Sequence, residues 1–572
     1  MEKRDHWYIP VLKEQLLKGR IERREFLRTA TLLGLSAGAA YGFVGMLTGD
    51  GLLPRAQAQS EPKRGGNFRV AMPVQEMVDP ATFDWVPKSN VARHIVEYLT
   101  MTGPDNITRP YLAEGWEASD DLTSWTFHLR KEVFWSNGDP FTADDVIYNF
   151  TRWLDPAVGS SNAGLFDAML EEVSTDRRDE QGNRVVEKRM TSRAIEKVDN
   201  HTLRFRLNAP VLSVPENLYN YPTAIVHRRF AEEGGDLSKN PIGTGPYELA
   251  EFEIGKKAVL KRRDAPYWGS RVTDDPYFGG EVYLDQITYI DKGLESEASL
   301  AALAAGEVDG IYEVYQESLA AAEQISGALV SEAQTAQTGA IRMQVTQKPF
   351  NDPKVRAAIV AASDNAVLLE QGYADRGVEG GNHHVAPIHP EYYALPRLRR
   401  DLGKARELLA EAGHGDGLRV TCNVGNTNGP WQEATLRVLA GQLAGAGITL
   451  ELNVMSAAEY WQTWKQAPLG LTAWTHRPLG TMALSLAYRT GVPWNETNYA
   501  NPKFDAALDK AESLLDVGER TAAMKDVEQI LRDDHIMIQP FFQSIYSATD
   551  NKVRGYRTHP TLYHQFQKVW IK

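Results

Sequence analysis

Leu122-Thr123-Ser124-Trp125-Thr126-Phe127-His128-Leu129-Arg130, then Trp135-Ser136-Asn137-Gly138-Asp139-Pro140 and Phe141-Thr142-Ala143-Asp144-Asp145-Val146, set out a strand, a turn and a helix start in close succession. Trp125, Phe127 and Leu129 alternate with Thr126, His128 and Arg130, the pattern of a half-buried strand. Asn137-Gly138-Asp139-Pro140 is turn chemistry. Thr142 followed by two acidic residues predicts an N-cap with carboxylates in the first turn of a helix running through Phe150 and Trp153. Asp144-Asp145 therefore reads as a helix start, not as a catalytic acid pair.

Working outward, Gly65 to Met72 alternates into a short strand broken by Asp79-Pro80, and Ser89–Thr100 has helical periodicity with Ser89 as cap. Val173–Arg193 is charged and free of aromatics, a surface excursion. His201–Leu207 alternates again. In Asn240-Pro241-Ile242-Gly243-Thr244-Gly245-Pro246-Tyr247, two prolines stiffen a loop whose glycines are expected to supply unusual φ angles. Leu300–Gly306 reads as a short helix. From about Gly339, helices (352–362, 401–412, 431–444, 501–515, 519–533) alternate with strands (418–424, 449–454), the texture of an α/β domain.

At 572 residues the chain exceeds what one core supports, so two or three domains are expected. The formal charge of −13 argues against nucleic acid as a partner. Cys422 is the single cysteine, which excludes an intramolecular disulfide and a thiolate metal cluster, and a buried, inert thiol is expected. Glu22-Arg23-Arg24-Glu25-Phe26-Leu27-Arg28 precedes a weakly apolar, Gly/Ala-rich run from Thr29 to about Thr48, and then Ala56-Gln57-Ala58. Twin arginines followed by x-Phe-Leu resemble a Tat signal, with Glu22 standing where Ser or Thr is usual. Cleavage near Ala58, with the Tat translocase as export partner, is the expectation; a retained membrane anchor is the alternative, weakened by four glycines in the run. No cysteine follows that run to carry a lipid, so a freely diffusing periplasmic protein is expected.

Six blocks together resemble the bacterial extracellular solute-binding proteins of family 5, which include dipeptide, oligopeptide and nickel receptors. They are Pro62-Lys63-Arg64-Gly65-Gly66; Arg109-Pro110-Tyr111-Leu112-Ala113-Glu114-Gly115-Trp116-Glu117; the opening block through Val146; Pro241 to Tyr247; Ala304-Ala305-Gly306-Glu307-Val308-Asp309; and Pro349-Phe350-Asn351-Asp352-Pro353 through Ala358. The likeness extends over nearly all of residues 62–570. It implies a two-lobed α/β periplasmic-binding-protein fold of the cluster C type, with an extra small domain on lobe one and a two-strand hinge. By that analogy lobe one holds 62–94, 238–338 and 546–572, the extra domain is 95–237, and lobe two is 339–545. The implied function is capture of a solute between closing lobes for the permease subunits of an ABC importer, by a monomer without a cofactor.

In peptide-binding relatives an Asp after a Trp-rich strand of lobe two pairs with the ligand's α-amino group. The matching stretch here is Leu471-Thr472-Ala473-Trp474-Thr475-His476-Arg477-Pro478, with Arg477 where that Asp would fall. A guanidinium there suits a carboxylate or phosphate and opposes an ammonium group. The expected ligand is accordingly a small anionic or zwitterionic solute: an opine-like conjugate, a modified amino acid or a sugar phosphate. Trp474 and His476 flank Arg477, and Arg489, Trp494, Asn495 and Tyr499 lie in a loop dense in aromatic and hydrogen-bonding groups. From lobe one, Phe83, Asp84 and Trp85 are candidates, Asp84 as partner for the cationic end of a zwitterion. His383 is a candidate contact from a loop near the cleft rather than a metal ligand, because adjacent residues in a strand point to opposite faces and the His383-His384 pair cannot readily chelate one ion.

The competing readings are a di- or oligopeptide receptor, a receptor for a metal chelate or haem, and a Tat-exported enzyme. Against the last, G-x-S-x-G, H-E-x-x-H, Walker A and dinucleotide fingerprints are all missing from suitable contexts.

Overall fold

The computed structural model describes residues 6–35, 37–48, 61–178, 184–272, 275 and 277–572. Its organising element is one large sheet. In spatial order it runs Tyr247–Glu253, Lys257–Arg262, Gln286–Ile290, Asn67–Ala71, Gly310–Ile311, Phe541–Asp550, Ala328–Met343, Leu469–Trp474, Leu418–Val424 and Ile448–Val454. The two longest strands, Ala328–Met343 and Phe541–Asp550, sit in the middle and join the halves. Ala328 to Gln334 pairs with Asp550 to Ser544; the register then slips before Thr338 meets Phe542. From Thr338 onward the same strand pairs with Trp474 to Leu469. The slip thus falls where the strand passes from one half to the other, and an irregular ladder is the softest place to bend a sheet. One apolar cluster, around Phe68, Tyr289 and Phe566, continues into the second half through Trp474, Phe504 and Met524, and another, around Ile341, Ile359, Leu436 and Leu471, lies within that second half. This is the two-lobed, two-strand-hinged architecture expected.

A second sheet, ordered Ala113–Ala118, Ser124–Leu129, Thr202–Arg206, Ile195–Asp199, holds the opening sequence block. Trp125, Phe127 and Leu129 are buried as their alternation requires. The Phe127 ring lies 5.0 Å from Phe205, which packs 4.7 Å from Phe150 on the following helix, Ala143–Trp153. Thr142 and Asp145 close a capping box, Asp144 pairs with Lys197, and Asp145 with Arg228. Both carboxylates are therefore structural.

Three local expectations are corrected. The helix expected over 89–100 is Val86–Ala92, beginning after Trp85 with Pro87 in its first turn. The stretch 173–193 is largely a hairpin of Leu170–Arg178 against Arg184–Met190, mostly exposed because it alternates charges rather than apolar groups. Gly243 and Gly245 keep ordinary φ angles. They are required by packing, since a Cβ on Gly243 would lie 1.8 Å from Ile95 O and one on Gly245 2.4 Å from His94 O.

The N-terminal segment forms three helices, α1 (Ile9–Leu17), α2 (Arg23–Leu32) and α3 (Ala37–Thr48). Among the described residues no helix is long and apolar enough to cross a membrane. Ala56-Gln57-Ala58 lies outside the described residues. Cys422 is fully buried, and burial pushes its thiol up to about 12, as expected of an inert core cysteine.

Candidate ligand cleft

Between the halves lies a cavity. Its walls are aromatic: Trp85 and Tyr221 on one side, Trp461, Trp464, Trp474 and Trp494 on the other. Trp474 ends the strand Leu469–Trp474, so the chain leaving that strand delivers Thr475 and Arg477 to the cavity as well. Trp461 lies on the helix Ala457–Thr463, with Trp464 at its end, their rings 5.5 Å apart and edge to face.

Arg477 is 2% exposed, with its guanidinium carbon 5.1 Å from the Tyr221 ring centre and 5.9 Å from that of Trp494. Nη1 donates to Thr475 Oγ1 at 2.6 Å and to His476 O at 3.1 Å. Nε is buried with no hydrogen-bond partner, and no carboxylate pairs with this guanidinium among the described residues. Three further buried atoms of the lining lack hydrogen-bond partners, Trp461 Nε1, Thr427 Oγ1 and Asp84 Oδ1, the last of them beside Lys88 Nζ. Two of these four are obligate N–H donors. A buried donor without an acceptor costs about 1–3 kcal/mol, so the cavity is disposed toward a ligand rich in acceptor oxygens.

Asp84 also lines the cavity, but its Oδ1 lies 2.9 Å from Lys88 Nζ. It is therefore already neutralised. A second compartment shares Trp85, Thr427 and Asn428 with the first and adds Tyr312, Glu313 and Tyr315. Glu313 Oε2 accepts from Asn428 Nδ2 at 3.1 Å, and desolvation raises its carboxyl to about 8. A carboxyl with that value is mostly protonated at pH 7, so it does little to offset the charge of Arg477.

The structure brings Arg477, Trp474, Trp494, Asp84 and Trp85 together and places the other candidates elsewhere. Arg489 is held by Asp509 at 2.6 Å, Glu512 at 2.9 Å and Asp167 at 3.8 Å. Asn495 ties its own loop, donating to Arg489 O and Tyr499 O and accepting from Thr497 and Tyr499. Tyr499 donates to Asp534 and packs on Phe504. Phe83 is a core side chain, 2% exposed. His383 lies in a loop, as expected, but 3.5 Å from Glu528 and away from the cavity lining; burial lowers the histidine to about 3 and raises the acid to about 9, so the pair is neutral. Among the described residues no three His, Cys, Asp or Glu side chains cluster to hold a metal.

His476 ties together segments far apart in the chain. Its Nδ1 accepts from Ala336 N at 3.0 Å, so Nε2 carries the proton and donates to Asn106 Oδ1 at 3.1 Å. Asn106 Nδ2 in turn donates to Pro478 O at 3.3 Å.

Sequence reasoning missed Tyr221, Trp461, Trp464, Thr427, Asn428 and Glu313. The Trp461/Trp464 spacing of three, which puts two indoles on one helix face, was the one local signal available.

The family model described as "Bacterial extracellular solute-binding proteins, family 5 Middle" matches residues 108–496. The periplasmic oligopeptide-binding protein OppA of Escherichia coli K12 is 25% identical over 503 residues, covering 82% of this chain and 85% of OppA. Among solved structures, the Helicobacter pylori periplasmic binding protein DppA in complex with the peptide STSA superposes with a TM-score of 0.76 at 22% identity, over 89% of this chain and 98% of that one. AgaA of A. tumefaciens R10 in complex with agropinic acid gives 0.74 at 20% identity, over 89% and 99%.

Proposed function

Because this chain belongs to the bacterial extracellular solute-binding proteins of family 5, we propose that it is the periplasmic ligand-capturing subunit of an ABC importer whose solute carries a carboxylate or phosphate. The observation that carries the ligand class is Arg477, a buried guanidinium without a carboxylate partner among the described residues, facing a tryptophan-lined cavity. A buried cation of this kind leaves a strong demand for an anion, and its planar fork suits a bidentate oxyanion. The indole walls suit a sugar ring or an aliphatic chain. Asp84, tied to Lys88, supports an anionic over a zwitterionic solute. AgaA, whose partner is agropinic acid, makes opine-like conjugates the first compounds to try.

The test is a thermal-shift screen of the protein against opines, amino-acid conjugates, sugar phosphates and di- to pentapeptides. Ligand at about 1,000 times its dissociation constant stabilises the closed form by about 4 kcal/mol, a shift of several degrees. A shift with anionic conjugates or phosphates supports the reading. A shift confined to peptides keeps the receptor and overturns the anion.

A further inference from the structure

Two charged groups of the body take their ion-pair partners from the N-terminal helices. Glu216, on the short helix Val214–Asn217, is 1% exposed and pairs with Arg28 Nη1 at 3.2 Å. Arg520, on the helix Val517–Asp533, is 3% exposed and pairs with Glu25 Oε1 at 3.2 Å. Among the described residues each has no other ion-pair partner. Arg28 and Glu25 stand one turn apart on α2 and grip each other through two contacts, at 3.0 and 2.9 Å. A continuous chain, Glu216–Arg28–Glu25–Arg520, therefore runs through α2 from one part of the body to another.

Apolar and polar fastenings accompany it. Phe26, Leu27, Ala30, Leu32 and Leu33 are all buried. Trp116 Nε1 donates to Leu32 O at 2.7 Å, and Gly34, with φ +88°, passes so close that a Cβ there would sit 2.5 Å from Trp116 O. From α1, Tyr8 Oη and Gln15 Nε2 both donate to Asp516 Oδ2, at 3.1 and 2.8 Å. Trp116 and Glu216 fall in the 95–237 domain, and Asp516 and Arg520 in lobe two, on the division proposed from the sequence. Arg23 and Arg24 lie exposed at the start of α2, outside the network.

We propose that in the full chain, before any cleavage near Ala58, α1 and α2 are a clasp across the cleft that holds the lobes closed. Opening at the hinge would pull either Glu216 from Arg28 or Arg520 from Glu25, and separating a buried pair is strongly unfavourable. Cleft opening therefore requires α2 to leave at least one side.

The experiment measures the distance between spin labels on Ser192→Cys and Lys510→Cys in the ligand-free full chain; Cys422, fully buried, stays unlabelled. A single short distance is expected, with a second, longer population appearing in Arg28→Ala and, separately, in Glu25→Ala. Distance distributions unchanged in both variants overturn the clasp. Should either variant fold poorly, a protease site placed within residues 49–60 and cut in the folded, labelled protein gives a second reading. The N-terminal fragment is expected to stay bound through gel filtration, and its displacement by high salt is expected to lengthen the distance. Release with no change of distance overturns the proposal.

Discussion

Glu496 and Arg342 form a buried ion pair behind the tryptophan wall, Oε2 to Nε at 3.1 Å, with both side chains at most 2% exposed. The pair holds the wall in place. Glu496 Oε1 accepts from Trp474 Nε1 at 2.9 Å, and Arg342 donates to the carbonyls of Trp464 and Ala467. Glu496→Ala leaves Arg342 buried without its counter-ion. A stability loss of about 3–5 kcal/mol is expected in chemical denaturation. Glu496→Gln, which retains one acceptor for the indole, is expected to lose less. Equal losses would mean that the acceptor kept for the indole contributes nothing and that the charge carries the whole effect.

Arg477→Ala removes the charge proposed to meet the ligand's oxyanion. Affinity for the solute found by thermal shift is expected to fall more than about tenfold, the worth of one charge-assisted contact, with the denaturation midpoint unchanged or raised. Arg477→Lys is expected to recover little, because a lysine reproduces neither the planar fork nor the stack on Tyr221 and Trp494. Undiminished binding by the alanine variant would place the anion elsewhere.

Glu313 gives the site an alkaline limb. Its carboxyl, raised to about 8 by desolvation, is neutral below that pH and negative above it. Affinity for an anion is therefore expected to decline as pH rises through about 8, measured by calorimetric titration. Glu313→Gln should hold affinity flat over the same range. A decline that persists in the glutamine variant would assign it to another group.

Asn106→Ala removes the acceptor of the His476 proton and one strand of the tie between these distant segments. Ligand dissociation is expected to quicken several-fold, with a smaller change in association, since interface losses appear mainly in the off-rate. An unchanged off-rate would show that closure does not depend on this contact.

Acid should unfold the chain through its histidines. Burial lowers His94, His383, His384 and His559 each to about 3 from the ordinary 6.5. Between those values the unfolded chain binds more protons than the folded one, so stability falls as pH falls. The buried acids Glu216 and Glu528, raised to about 7 and about 9, act oppositely, but only above the ordinary glutamate value of 4.5. The urea midpoint is therefore expected to drop steeply from about pH 4.5 to about pH 3. A flat midpoint there would contradict the burial of these imidazoles.

Much of the local structure was legible in the sequence because its causes are local. The alternation of Trp125, Phe127 and Leu129, the Thr142/Asp145 cap and the strand Leu418–Val424 all follow from neighbours within a few residues. Where neighbours mislead, the cause is tertiary. The Ser89–Thr100 periodicity did not become one helix, because the helix ends at Ala92 and His94 turns into the core against Tyr289 and Phe566. Gly243 and Gly245 looked like turn residues, and they serve instead to let two backbones touch.

The sequence by itself determined the family texture, the α/β alternation and the presence of Arg477 just after a Trp-bearing strand. Each rests on residue identity and short spacing. Only the tertiary structure decided which side chains face the cavity. Arg477 and Arg489 are the same residue type twelve positions apart, and nothing local separates them. Folding surrounds Arg489 with Asp167, Asp509 and Glu512 and, among the described residues, gives Arg477 no carboxylate, because the partners of a buried charge come from distant segments.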